Sequence, residues 1–114
     1  MARKTDRKMD RTLVAALTRV CEGARESVPG FAWITHFVDY KRFPESLLIV
    51  CVFETEAQWQ AARVRKQDAR LIASILKELE AIDIRIGDQR RQLLFDTEEA
   101  CERDSNGNWV RRYG

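Results

Sequence analysis

The sequence predicts a single α+β domain: a two-layer sandwich with a four-stranded mixed sheet and two long helices on one face. Three observations lead there. The run Leu47-Leu48-Ile49-Val50-Cys51-Val52-Phe53 is apolar throughout. It is too short for an ordinary helix and reads as a strand buried on both faces. Met9, Leu13, Leu17, Val20, Ala24 and Val28 recur at steps of four, four, three, four and four, which is one face of an amphipathic helix. Leu71, Ile72, Ile75, Leu76 and Leu79 form a second stripe of the same period.

In chain order, residues 1–4 are basic and expected to fray. Thr5 is placed to cap the first helix, with Asp6 in its first turn, and Pro29-Gly30 to stop it. Residues 31–40 read as the first strand. Its two faces are Phe31, Trp33 and Phe37 on one side and Ala32, Ile34, Val38 and Tyr40 on the other. The connection 41–45 leads into the 47–53 strand, predicting an antiparallel hairpin. Thr55-Glu56-Ala57-Gln58 is a capping box. It opens a second helix expected to run to about Ala81, with a kink or break allowed in the polar stretch 61–70. Ile82-Asp83-Ile84-Arg85-Ile86 alternates as a strand with one wet face does. After Gly87-Asp88, residues 91–95 read as a fourth strand. Asp96-Thr97-Glu98-Glu99 is a second capping signature, with Asp96 as the cap of a short helix to about Glu102. Residues 104–114 are a tail carrying Trp109 and Tyr113. The long helix can cross over to a third strand parallel to the second.

The 114 residues suit one domain, 1–114, and at 45% apolar it can build a core without staples. Its 20 basic and 18 acidic residues give a net charge of +2. That argues against a surface basic all over and leaves room for a local basic patch. Cys21, Cys51 and Cys101 cannot all pair within one chain and include no CxxC, so reduced thiols in a cytoplasmic protein are expected. The start has no apolar segment of the signal-peptide kind, and no apolar run approaches a membrane span.

Several stretches together carry a resemblance: Lys4-Thr5-Asp6, then Gly30-Phe31-Ala32-Trp33-Ile34-Thr35-His36-Phe37-Val38, Phe43-Pro44-Glu45-Ser46-Leu47, Phe95-Asp96-Thr97-Glu98-Glu99-Ala100-Cys101 and Gly107-Asn108-Trp109. Over nearly its whole length the chain resembles a small family of uncharacterised proteobacterial proteins often labelled "Fis family transcriptional regulator". The family offers no established active site to carry over. Here the C-terminal third reads as a hairpin, a short helix and a tail, where a helix-turn-helix would need a recognition helix. The helix–hairpin–helix order also looks faintly like a KH module, without its GxxG loop.

Candidate chemistry is sparse. His36, the one histidine, could serve as a general base; a half-buried histidine with a satisfied ring accounts for it. A hairpin centred between Phe43 and Pro44 would set His36 opposite Cys51, where an imidazole could activate a thiol. Burial in the most apolar run argues for an inert thiol instead. One histidine and three scattered cysteines make no zinc set. Asp96, Glu98 and Glu99 could bind a hard cation, although helix capping explains Asp96 and Glu99. No cofactor motif is present. In a continuous second helix, Trp59, Arg63, Lys66, Arg70 and Lys77 fall on one side at about 100° per residue, roughly opposite the Ile72–Leu79 stripe. They could meet phosphates and one stacked base; a solvated charged face with a packed tryptophan is the plain alternative.

These features lead to the expectation of a non-enzymatic cytoplasmic binding module, either for nucleic acid (RNA or DNA, or RNA within a ribonucleoprotein) through the basic face of helix two, or for another protein. A homo-oligomeric interaction module is the second expectation and a small Cys/His enzyme the third. Because two helices cover one sheet face only, the second apolar face must be covered either by the 105–114 tail or by a second subunit in a homodimer.

Overall fold

The computed structural model describes residues 4–114, so the expected fraying of 1–4 falls largely outside the described residues. The chain runs α1 (Lys4–Ser27), β1 (Phe31–Phe37), a short 3-10 turn (Tyr40–Arg42), β2 (Leu48–Phe53), α2 (Glu56–Val64), α3 (Gln67–Ala81), α4 (Gln89–Gln92), β3 (Leu93–Thr97), α5 (Glu98–Ser105) and α6 (Trp109–Tyr113). Lys4 is already helical, which puts Thr5 inside α1 rather than at its cap.

The class is α+β, but the sheet has three strands in the order β1-β2-β3, not four. The β1–β2 hairpin is antiparallel, and β3 lies parallel to β2 on its other side. The missing strand is 82–86. Ile84 N–H donates to the Leu79 carbonyl at 2.9 Å and Asp83 N–H to that of Glu80 at 3.0 Å, with Asp83 left-handed at φ 61°. That is a Schellman stop, with Ile84 folding back onto Leu79 in the core. The alternation of buried and exposed side chains is real, since Ile84 is buried and Asp83 and Arg85 are exposed. It serves the exit of a helix, and the segment has no sheet neighbour. The last strand also begins later than expected. Residues 89–92 make one helical turn, in which buried Gln92 donates to the carbonyls of Pro44 and Leu47 and accepts from Asp88 N–H. Gln92 thereby satisfies the backbone of the connection that enters β2.

The core lies between the sheet and α1 with α3. Leu13, Leu17 and Val20 of α1 and Leu71, Ile75 and Leu79 of α3 meet Ile49, Cys51 and Phe53 of β2 there. A bulge between Phe31 and Trp33 shifts the pleat. Phe31 joins this core against Phe53, edge to face at 5.6 Å, while Trp33 turns to the opposite face. The opposite face is covered within the chain. Trp109 packs edge-on against Trp33 at 4.8 Å, and Tyr113 lies 6.0 Å from Phe37. Val50 and Val52, which share that face in register with Thr35 and Trp33, are 0% exposed. The helices α5 and α6 thus add a thin third layer that a two-layer sandwich lacks, and the tail meets the need that had suggested a second subunit.

Candidate functional site

A single helix over 55–81 would have aligned Trp59, Arg63, Lys66, Arg70 and Lys77. The chain breaks at Arg65–Lys66 instead, with Lys66 left-handed at φ 59°. The two halves have different surfaces to bury. In α2, Trp59 and Ala62 face the sheet; in α3, Leu71, Ile75 and Leu79 face α1. One straight helix cannot satisfy both directions, and the polar stretch between them gives way. The capping box does open α2: Thr55 Oγ1 accepts from Gln58 N–H at 3.2 Å. The Gln58 amide oxygen takes the Thr55 hydroxyl proton rather than a backbone one.

The five residues therefore separate. Trp59 stacks flat on Phe95, with centroids 4.4 Å apart and planes 14° from parallel, and the Arg63 guanidinium sits 5.7 Å from the ring centre. Both neighbours already occupy the indole, so it offers no open platform for a base. We expect Trp59→Ala to lower stability by about 3 kcal/mol, the loss of a well-packed aromatic. An unchanged midpoint in urea would show that the stack does not hold α2 to the sheet.

Arg63 donates to Gln60 on the surface at 3.3 Å. Lys66, Arg70 and Lys77 are exposed and have no ion pair or side-chain hydrogen bond among the described residues. The break also exposes Arg65 beside them. A straight-helix projection hides Arg65, although the run Arg63-Val64-Arg65-Lys66 announces it. By contrast, Arg19 is paired with Glu78 at 3.0 Å, Arg103 with Glu56 at 3.1 Å, and Arg112 with Asp96 at 2.6 Å.

Arg70 and Lys77 stand on one wall of a cleft of about 430 Å³ between α3 and the C-terminal half of α1. Its floor is the buried apolar side of both helices, and Gly23, Ser27 and Ser74 keep its walls low. A Cβ on Gly23 would meet nothing within 4 Å. No packing inside the chain requires a glycine there, despite its cost of about 1 kcal/mol relative to alanine within a helix. The cleft is of a size that accommodates small ligand groups, and no sequence pattern pointed to it.

The Cys51–His36 pairing does not form. The register sets Cys51 opposite Ile34 and His36 opposite Ile49, two residues away from a hairpin centred at 43–44. Each β1 residue thus meets a partner two positions nearer along the chain, and the connection 38–47 closes the shorter span through the 3-10 turn at Tyr40–Arg42. Burial pushes the Cys51 thiol up to about 12, the opposite of what a nucleophile needs. His36 instead bonds through Nε2 to Asp10 at 3.2 Å, and Tyr40 donates its hydroxyl to the same carboxylate oxygen at 2.7 Å. Burial raises the Asp10 pKa, but these two bonds outweigh it and the carboxylate ends below its usual range. The cluster ties α1 to the hairpin.

Asp96 is not the cap of α5. Thr97 is, accepting from Ala100 N–H at 3.0 Å. Asp96, the penultimate residue of β3, has its side chain under α6, where it accepts from Arg112 at 2.6 and 3.1 Å, from Tyr113 and from Thr97 N–H. Glu98 accepts from the Trp33 indole N–H, and Glu99 from the Glu56 N–H of α2. These three carboxylates are thus engaged separately, and no group of three or more potential metal ligands is gathered among the described residues. All three cysteines are free thiols. No helix among the described residues is long and apolar enough to cross a membrane. Comparison with protein-family models, with curated proteins and with solved structures returned no match.

Proposed function

We propose that this protein is a non-enzymatic binding module for nucleic acid, holding backbone phosphates on Arg63, Lys66, Arg70 and Lys77, with Trp59 as a structural support rather than a base platform. The observation that carries this is that, among the described residues, none of these four cations has a carboxylate partner. Two acids of the same helices, Glu56 and Glu78, are drawn to Arg103 and Arg19. An uncompensated basic surface is what phosphate binding needs, because affinity comes from releasing the counterions that the phosphates had condensed. Arg65, exposed at the break, adds a further cation to this set. The cleft behind Arg70 and Lys77 has room for a nucleotide sugar or base beside the contacted strand.

The test is a titration of single- and double-stranded RNA and DNA at several salt concentrations. Wild type should bind at low salt with an affinity that falls linearly on a log–log plot. The triple variant Arg63→Ala, Lys66→Ala, Arg70→Ala should lose about two to three from the slope, at roughly 0.7–0.9 per phosphate contact. Its fold should survive, since exposed substitutions matter by about 0.5 kcal/mol or less. Wild type that binds none of the four at low salt, or a triple variant with an unchanged slope, would remove the nucleic-acid reading.

A further inference from the structure

We infer that β1 and the flank of α1 beside it form a self-pairing edge, through which two copies of this chain join their sheets into one of six strands. The observation is independent of the basic patch. Glu54 N–H donates to the Gly30 carbonyl at 2.9 Å. Amide directions alternate along a strand, so Val52, Val50 and Leu48 also turn their amides to β1, where their register partners are Trp33, Thr35 and Phe37. The N–H and C=O groups of Ile34 and His36 then point away from the sheet, and none meets a partner among the described residues.

Exposed edges of this kind are ordinarily blunted by lysine, proline, other charges or short length. The seven residues of β1 include no charged residue apart from what His36 can carry, and no proline; the single bulge lies at the Phe31 end. The imidazole of His36 is drawn to Asp10 on α1. Beside this edge α1 presents Val14, Thr18 and Cys21, at steps of four and three, and Val14 is 43% exposed. With Ile34 and His36 these residues line a cavity of about 230 Å³. The charged groups of its lining, Glu22 and Arg25, are one of each sign, and the Asp10 carboxylate beside His36 is already engaged by His36 and Tyr40.

A lone peptide strand would satisfy the outward amides and leave the Val14 stripe wet. A second copy satisfies both. Antiparallel edge pairing about a two-fold axis is isologous, and it brings each α1 flank up to its counterpart. The sheet would then read β3-β2-β1 continued by the same three strands of the partner copy.

The experiment combines sedimentation equilibrium with amide hydrogen exchange on the full chain, from nanomolar to high micromolar concentration. The expected mass at high concentration is twice 13.3 kDa. The Ile34 and His36 amides should be protected there and exchange freely on dilution. Val14→Glu, at an exposed helical position, should weaken the dimer by about tenfold or more while the melting curve of the monomer is unchanged. A protein of 13.3 kDa at every concentration overturns the inference. So does a dimer in which the Ile34 and His36 amides exchange as fast as in the dilute protein, a result that needs no variant to fold.

Discussion

Val50→Asp will not fold. Val50 sits in the middle of β2, is 0% exposed and is flanked in register by Thr35 of β1 and Leu94 of β3. The sheet closes it on both sides and α5 with α6 close its face. A carboxylate placed there leaves water, and Arg112, the part-buried cation of the covering layer, is already held by Asp96 in two hydrogen bonds. An unpaired charge in such a place is neutralised at a cost of several kcal/mol or expelled by unfolding. A domain of this kind has about 5–15 kcal/mol of stability in total, and a loss of roughly 5 kcal/mol or more removes all of it at the lower end of that range. Val110→Asp is the matched control, because Val110 is 68% exposed on the outer side of α6. It should shift stability by about 0.5 kcal/mol or less. Circular dichroism and urea titration of both variants decide the matter. A Val50→Asp protein that melts cooperatively near the wild-type midpoint would mean that β2 is not the closed centre of the sheet.

What the sequence showed of this architecture follows how local each signal is. The β2 run was legible because a strand buried on both faces has no polar alternation to confuse it, and α1 because its apolar period holds for the whole helix. Segment 82–86 misled for a physical reason. Burial alternates in any extended chain lying over a core, and whether the backbone also finds a ladder depends on elements elsewhere in the sequence. The hairpin register failed similarly, since a two-residue shift hides in a connection whose turn type the sequence does not fix. At the candidate site, the four cations could be picked out by spacing, but the line they were drawn on assumed a straight helix. The polar stretch 61–70 marked where a break could come, and the structure breaks there; that it turns the two halves apart follows from two packing directions, sheet for Trp59 and α1 for Leu71, which exist only in the folded chain. The cleft at Gly23 was illegible for the same cause: a glycine beside empty space looks no different in sequence from one that packs tightly.

Asp96→Ala should detach the C-terminal helix, and acid should do the same to wild type. The Asp96 side chain is 8% exposed and that of Arg112 20%. Removing the carboxylate strands a partly buried guanidinium and frees the Tyr113 hydroxyl. Breaking a buried pair costs about 3–5 kcal/mol. Here Asp104, at 3.9 Å from Arg112, and the remaining exposure soften that to roughly 2–3 kcal/mol. Melting should fall by on the order of 10 °C. Burial alone would raise the Asp96 pKa, but Arg112, Tyr113 and Thr97 N–H more than offset it, so the folded value lies below 3.8. A depressed folded pKa means that this contribution is present above the unfolded value and is lost as pH falls through the folded one. Tyr113 works at the other end. Burial and the Asp96 bond push it from 10.0 up to about 12, so its contribution is present below pH 10 and disappears as pH rises through about 12. The latch is therefore closed across neutral pH and opens first at low pH. Trp109 reports it, because releasing α6 separates it from Trp33, now 4.8 Å away. Its fluorescence should move towards the solvent-exposed form below pH 4, ahead of the far-ultraviolet signal of α1 and α3. In Asp96→Ala the same change should be present at pH 7, with no further acid step of its own. A Trp109 signal that follows global unfolding at every pH in both proteins would show that α6 is held by packing against the sheet, and that Asp96 is incidental to it.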